Sequence, residues 1–351
     1  MSALLEAADA DAALEMLHAL GCTDGLPVIV PTPARVARLV LASGLDGDIE
    51  LGEMGPGYGV ATVAKVACAA VMAGCLPDHM PVVVAGVRAL CDPAFDLTEM
   101  QSTTHCIAPM LVVCGAARVL GGYQSGFGLM GPGHRANAAT GRALRLAMIN
   151  IGGARPGESD MAIHGGPAKF SFCFAEDAEA SPWPALHTTF GYDDADGAVV
   201  LLGVEGPHSA LFSGDTEDPR AAVALLDVVA AVIANRGSNN AYFGGNAAVA
   251  VVFNPEHAAL LARHGYDRAR VQAELSTRAV NPREALAQLN GKMLVGREAL
   301  VPAVRDPANV HVLVGGAPGL YSMVMPSWSA GPHGNVAVHA AVEMNQACEL
   351  P

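Results

Sequence analysis

The sequence is short of the side chains that usually fill a core or coat a surface. Aromatic residues make up 5% of its 351 residues and charged residues 15%. With 52% hydrophobic residues and 39 glycines it is not a disordered chain, and it must pack small side chains and backbone closely. Basic residues are the scarcer charge, 20 against 34 acidic ones. The resulting net charge of −14 argues against nucleic acid as a general partner. No apolar run reaches the length of a membrane span, and the acidic opening MSALLEAADADAALEMLHALG lacks a basic leader. The eight cysteines (22, 68, 75, 91, 106, 114, 173 and 348) show no framework spacing and read as reduced thiols of a cytoplasmic protein.

Familiar chemical signatures are missing too. There is no CxxC, no HExxH and no G-x-S-x-G, and no Gly-Lys-Ser/Thr follows a glycine loop. No nicotinamide or flavin fingerprint is visible. No cofactor is therefore predicted and no metal ligand is assigned, although a divalent ion gathered in space by His105, His164 or His333 stays open.

One absence is local. From Met100 to Gly157 there is no Asp or Glu, yet the stretch holds Arg118, Arg135, Arg142, Arg145 and Arg155. Such a segment makes a positive field suited to a small anionic substrate, unless acids from elsewhere pair with the arginines. Within it, GFGLMGPGHRANAATGRALRLAMINIGG places a glycine loop before a helix beginning near Ala136, with Leu144, Met148 and Ile151 on one buried face. A glycine loop entering a helix offers free N–H groups and a favourable dipole to an anion. Gly131, Gly133, His134, Arg135 and Asn137 are candidate substrate contacts, with Arg142 one helical face along as support or as partner of an acid. The competing reading is a packing turn with a capping Asn.

QSTTHCIAP packs further candidates ahead of a strand. His105 is the natural general acid or base, and Ser102, Thr103 and Thr104 offer hydrogen bonds to a carboxylate. Cys106 is a candidate nucleophile, but strand neighbours point opposite ways, so it does not form a dyad with His105. In KFSFCFAE, alternation puts Lys169, Ser171, Cys173 and Ala175 on one face, where Lys169 and Cys173 either line a cavity or lie at a solvated edge. Lys65, alone in an apolar helix, either snorkels or sits desolvated. MPSWSAGPHGN gathers Ser327, Trp328, Ser329, His333 and Asn335, with Trp328 as a cleft wall and His333 where a helix would begin.

Strands such as PVIVP, AVVLLGV and VHVLVGG alternate with helices, which gives an α/β class. Gly-Pro turns recur at Gly55, Gly131, Gly206 and Gly331, at least three of them leading into a small-residue helix. The order helix, polar loop, strand, helix appears in PVVVAGVRALCD to AARVLGG and again in AAVALLDVVAAVIAN to PEHAALLARHG. We read two similar halves, 1–190 and 191–351, from an old duplication around a shared cleft, against the plain recurrence of such units in any α/β protein.

The motifs GPG-x-RAN-x-x-x-GRA-x-RL (Gly131–Leu146) and SPW-x-x-LH (Ser181–His187) resemble those of a bacterial family of uncharacterised proteins, over roughly residues 20 to 210. The resemblance implies no reaction and no catalytic residue. The residues themselves lead to a cytoplasmic enzyme acting on a small carboxylate-bearing metabolite. Arg135 would anchor the carboxylate, His105 would move a proton, and Cys106 or Cys173 would serve as nucleophile, in a lyase, hydratase or hydrolase reaction. His333 and Lys169 complete the catalytic candidates. The alternatives are a homo-oligomeric or partner subunit without catalysis, and a thiol or metal protein.

Overall fold

A computed structural model describes residues 4–243, 248–328 and 330–343. Gly244, Gly245 and Asn246 of the amide-rich loop GSNNAYFGGN (237–246), Ser329 and Cys348 lie outside the described residues. The fold is mixed α/β. The helices are α1 (Ala10–Ala19), α2 (Pro33–Ser43), α3 (Val63–Ala73), α4 (Met80–Leu90), α5 (Leu97–Ser102), α6 (Ala116–Leu120), α7 (Arg135–Asn150), α8 (Ala221–Ile233), α9 (Pro255–Arg263), α10 (Arg268–Arg278) and α11 (Arg283–Asn290). The strands are β1 (Glu50–Met54), β2 (Gly59–Thr62), β3 (Ala108–Gly115), β4 (Cys173–Ala175), β5 (Gly197–Val204), β6 (His208–Leu211), β7 (Val249–Phe253), β8 (Val280–Pro282), β9 (Leu300–Pro302), β10 (Val310–Val314), β11 (Tyr321–Met325) and β12 (Val338–Ala341).

Two four-stranded sheets carry the architecture, in the orders β4-β3-β5-β12 and β10-β7-β11-β6. Each has one parallel pair followed by two antiparallel pairs. β5 continues in the chain to β6, which pairs in the second sheet, and β11 continues to β12, which pairs in the first. The first sheet thus draws strands from both sides of residue 190. β1-β2 and β8-β9 form separate two-stranded pairs.

The core explains why the strands read as unbroken apolar runs. Ala108, Met110, Val112 and Cys114 of β3 meet Ala250 and Val252 of β7 between the sheets. Leu111 and Val113 face the opposite way, towards α3, α4 and α7. Val249, Val251 and Phe253 face α8, α9 and α10. Helices, sheet, sheet and helices form four layers, so both faces of each sheet are covered and alternation with polar residues disappears.

Small residues let these layers close up. Gly141, in the middle of α7, sits where a Cβ would overlap Ser171 Oγ and the Phe172 backbone nitrogen. The glycine brings the chain after α7 hard against the helix. Lys65 snorkels: its Nζ donates to the Val60 carbonyl from an exposed position.

Three sequence expectations change. PVIVP, at 27–31, forms no strand. Of the four Gly-Pro turns, those at Gly55, Gly206 and Gly331 lead to strands β2, β6 and β12, and Gly131 alone leads directly to a helix, although α3 follows β2 at once. At the last of the four, Gly331, Gly334 and Asn335 adopt positive φ, and Asp96 accepts the backbone N–H groups of His333 and Asn335, which fixes a tight turn. The alternating run also fails, because Pro167–Lys169 is a 3₁₀ turn and the strand covers only Cys173–Ala175. Lys169 and Cys173 therefore do not share a strand face.

One core histidine has a titration consequence. His311, 8% exposed, stacks on Phe190 with ring centroids 5.9 Å apart. Burial depresses its pKa to about 4, whereas an unfolded histidine titrates near about 6.5. The unfolded chain binds the extra proton between those values, so stability is retained above about 6.5 and lost as pH falls through about 4. The full loss is roughly 3 kcal/mol. Urea midpoints measured from pH 7 down to about 4 should fall more steeply for wild type than for His311→Phe; parallel curves would remove this residue as the cause.

Candidate functional site

Helix α7 carries three of the five arginines of the acid-free segment, and each has a different fate. Arg135, in the first turn, donates from Nε and Nη2 to the Gly74 carbonyl (3.1 and 2.9 Å) and is exposed. Arg142 grips Asp24 with two 2.8 Å bonds and also reaches the Pro27 carbonyl. Arg145 is buried, and its Nη1 approaches Asp160 Oδ2 at 3.4 Å and Gln101 Oε1 at 3.3 Å. Arg118 pairs with Glu179, and Arg155 donates to the Gly21 carbonyl. Acids from outside the segment thus neutralise much of its field.

The glycine loop is tied down by its own helix. Asn137 Nδ2 donates to the Gln124 and Leu129 carbonyls, and its Oδ1 accepts from the Gln124 N–H. His134 Nε2 bonds the Phe127 carbonyl. Gly133 has φ +112° with open space around it, and the Gly131 N–H donates to Gly128. Asn137 is spent on holding the loop, while His134, Arg135 and Gly133 border a hollow of about 450 Å³ with Leu76, Asp78 and Gln124.

A cavity of about 970 Å³ opens elsewhere, between α7 and the segment 154–170. Its wall includes Arg145, Asp160 and Lys169, with apolar cover from Ile149, Ile163 and Phe170. Asp160 receives Lys169 Nζ on both oxygens, at 2.7 and 2.8 Å. Desolvation lowers the lysine pKa, and the hydrogen bonds it donates to Asp160 offset part of that shift. The exposed Cys106 lies near Lys169. Two buried donors beside this pair have no acceptor: Arg145 Nη2 and Gln101 Nε2. They belong to touching side chains, since Gln101 Oε1 accepts from Arg145 Nη1. A second hollow, of about 840 Å³, is lined by His208, Asp227, Arg236 and Arg278, but there Arg278 is spent on Asp227 and Glu274.

His105 and Cys106 precede β3 and do not lie on the strand. His105 Nε2 lies 3.0 Å from Glu205 Oε1, and Asn239 Nδ2 lies 3.0 Å from its Nδ1. An amide donating to Nδ1 leaves the ring proton on Nε2, aimed at the carboxylate. His208 holds the other Glu205 oxygen at 3.1 Å. Burial pushes the Glu205 carboxyl up, but the hydrogen bonds of His105 and His208 outweigh it and hold the group below its ordinary value. The QSTTH loop and the amide-rich loop of the second half therefore touch.

No family model, curated protein or solved structure matches this chain. The remaining candidates are placed by geometry alone. Trp328 Nε1 donates to Thr103 Oγ1, so the tryptophan braces the QSTTH loop. Ser102 Oγ donates to the Thr98 carbonyl, and the Thr104 carbonyl accepts from Ile163 at the cavity edge. His333 Nδ1 pairs with Asp96 at 2.8 Å, away from the cavity lining. Cys173 is buried in the core against Tyr123 and Cys75, and desolvation pushes its thiol far above the ordinary range. It does not fit the nucleophile role expected of it. His164 lines the 970 Å³ cavity, so His105, His164 and His333 are not gathered at one point.

Among the described residues one group has metal-ligand spacing, and spacing along the sequence gave no sign of it: Cys114, Glu176 and His187. Arg145, Gln101 and Asp160 were also missed as site residues. Their clue was visible but not selective: Arg145 is one arginine among five in an acid-free stretch.

Proposed function

We propose that the protein is an enzyme acting on a small carboxylate-bearing metabolite held in the 970 Å³ cavity. The observation that carries this reading is a buried, acceptor-less donor, Nη2 of Arg145, on a residue of the cavity wall beside Lys169. Buried polar groups are almost always satisfied, and a carboxylate supplies the missing acceptor. Lys169, desolvated and tied to Asp160, is the group that moves a proton next to the bound carboxylate. Cys106 is the accessible nucleophile. We place proton transfer on Lys169 rather than His105, whose ring nitrogens face Glu205 and Asn239. The reaction class is addition–elimination or hydrolysis. The free thiols among the described cysteines and the absence, among the described residues, of any helix long and apolar enough to cross a membrane accord with a cytoplasmic setting. The matching strand order of the two sheets supports a duplication in which the halves traded their final strands, with the join after β6 at Leu211 and not at residue 190.

A thermal-shift screen against mono-, di- and tricarboxylates tests the proposal. At about 100 Kd a ligand adds roughly 2.7 kcal/mol and raises the melt measurably. The hit should vanish in Lys169→Met and survive Arg135→Ala. Loss in Arg135→Ala alone would move the site to the glycine loop, and no hit at all would sink the enzyme reading. One observation favours the subunit alternative: Phe127 in the glycine loop is 81% exposed. A discrete oligomer that Phe127→Ser dissociates would support it.

A further inference from the structure

At the far end of β3 from Cys106, three donors meet in the interior. Cys114 is the penultimate residue of β3 and lies between the sheets, Glu176 follows the parallel neighbour β4, and His187 belongs to the SPW-x-x-LH segment. Each offers a ligand atom within 4.8 Å of the others, and all three residues are buried. The carboxyl ends of parallel strands are where α/β proteins habitually place ligands.

The hydrogen bonds leave lone pairs pointing nowhere. His187 Nε2 lies 3.1 Å from the Asp193 carbonyl, which can only accept, so the ring proton is on Nε2. Its Nδ1 is then an unprotonated lone pair, buried and without a partner. Glu176 Oε2 accepts the Leu186 N–H at 2.7 Å, while Oε1 has no nitrogen or oxygen donor, and the carboxyl has the Cys114 thiol as its neighbour. Arg268 Nη2 stops 3.6 Å from that oxygen. A backbone carbonyl fixing one histidine nitrogen, and a backbone N–H fixing one carboxylate oxygen, are the outer contacts that orient metal ligands.

We propose that Cys114, Glu176 and His187 form a zinc site. The sulfur, nitrogen and oxygen set suits zinc among the divalent ions. A tetrahedral zinc with bonds of about 2.0–2.3 Å holds its donors roughly 3.5 Å apart, a closure from the present spacing that modest side-chain rotation supplies. The ion would take the thiol proton and bind the thiolate. Thiolate, carboxylate, Arg268 and a divalent ion sum to one positive charge, which favours an anionic fourth ligand. Such a ligand has a route: a hollow of about 420 Å³ lined by Gly115, Arg118, Trp183 and His187 adjoins the site. Three protein ligands and one open position are the pattern of catalytic rather than purely structural zinc.

Cobalt titration of the chelator-stripped protein tests this, because thiolate-bound cobalt gives a near-ultraviolet charge-transfer band. One equivalent per chain should produce the band, and zinc should displace it. Cys114→Ser should abolish the band, Cys106→Ser should keep it, and Glu176→Gln and His187→Gln should each weaken zinc binding at least about 10-fold. No band in the wild-type protein would overturn the proposal whatever the variants do. So would a band that survives in folded Cys114→Ser, with folding checked by circular dichroism.

Discussion

Asp160→Ala should be among the most damaging single substitutions in this protein, costing about 3–5 kcal/mol. Asp160 is the carboxylate that faces both Lys169 and the buried Arg145. Removing it leaves two cations side by side in a desolvated wall, and the penalty is that of uncompensated charge, not of two lost bonds. The lysine escapes part of it by giving up its proton, since burial already lowers its pKa; the arginine does not. Replacing all three together, with Arg145→Met, Asp160→Leu and Lys169→Met, should recover most of the loss, because an apolar triad carries no desolvation cost. Denaturant midpoints for the single and triple variants decide it. Equal damage in both would mean that packing, not charge, governs the site.

Gly115→Ala should be comparably severe. Gly115 sits at φ +62° between β3 and α6, and a Cβ there would overlap the Asp196 carbonyl oxygen and press on His187 Nε2. Two penalties add: a left-handed backbone that L side chains resist, and a clash with backbone that has no room to withdraw, since Asp196 is held through its carbonyl by the Ala116 N–H. Together they should exceed about 3 kcal/mol. Gly122→Ala is the control, because φ is similar, +68°, but nothing lies within 4 Å of the added methyl. The difference between the two midpoints isolates the clash. Indistinguishable variants would show that this junction is softer than its contacts indicate.

Much of this was legible in the sequence, and what was not has a common cause. The α/β class and the helix carrying the arginines follow from local pattern. Which arginine stays available does not, because Asp24, Asp160 and Glu179 are supplied from outside the segment. The alternation of KFSFCFAE pointed to a strand, but Gly165, Gly166 and Pro167 impose a turn on its first residues. Gly-Pro turns announce a change of direction without saying whether a helix or a strand follows. Cys114, Glu176 and His187 are brought together only by the pairing of β3 with β4 and the return of the SPW segment, and no spacing rule encodes that.

The route of the chain through its sheets bears on how it folds during synthesis. A ribosome would deliver β3, β4 and β5 early, yet the strand that covers the outer edge of β5 is β12, at residues 338–341. Until those residues emerge, the first sheet exposes an unpaired edge of Gly-Ala-Val-Val-Leu-Leu-Gly-Val, the kind of segment that invites pairing with another chain. Nascent chains halted before residue 338 should therefore be the ones that need a chaperone.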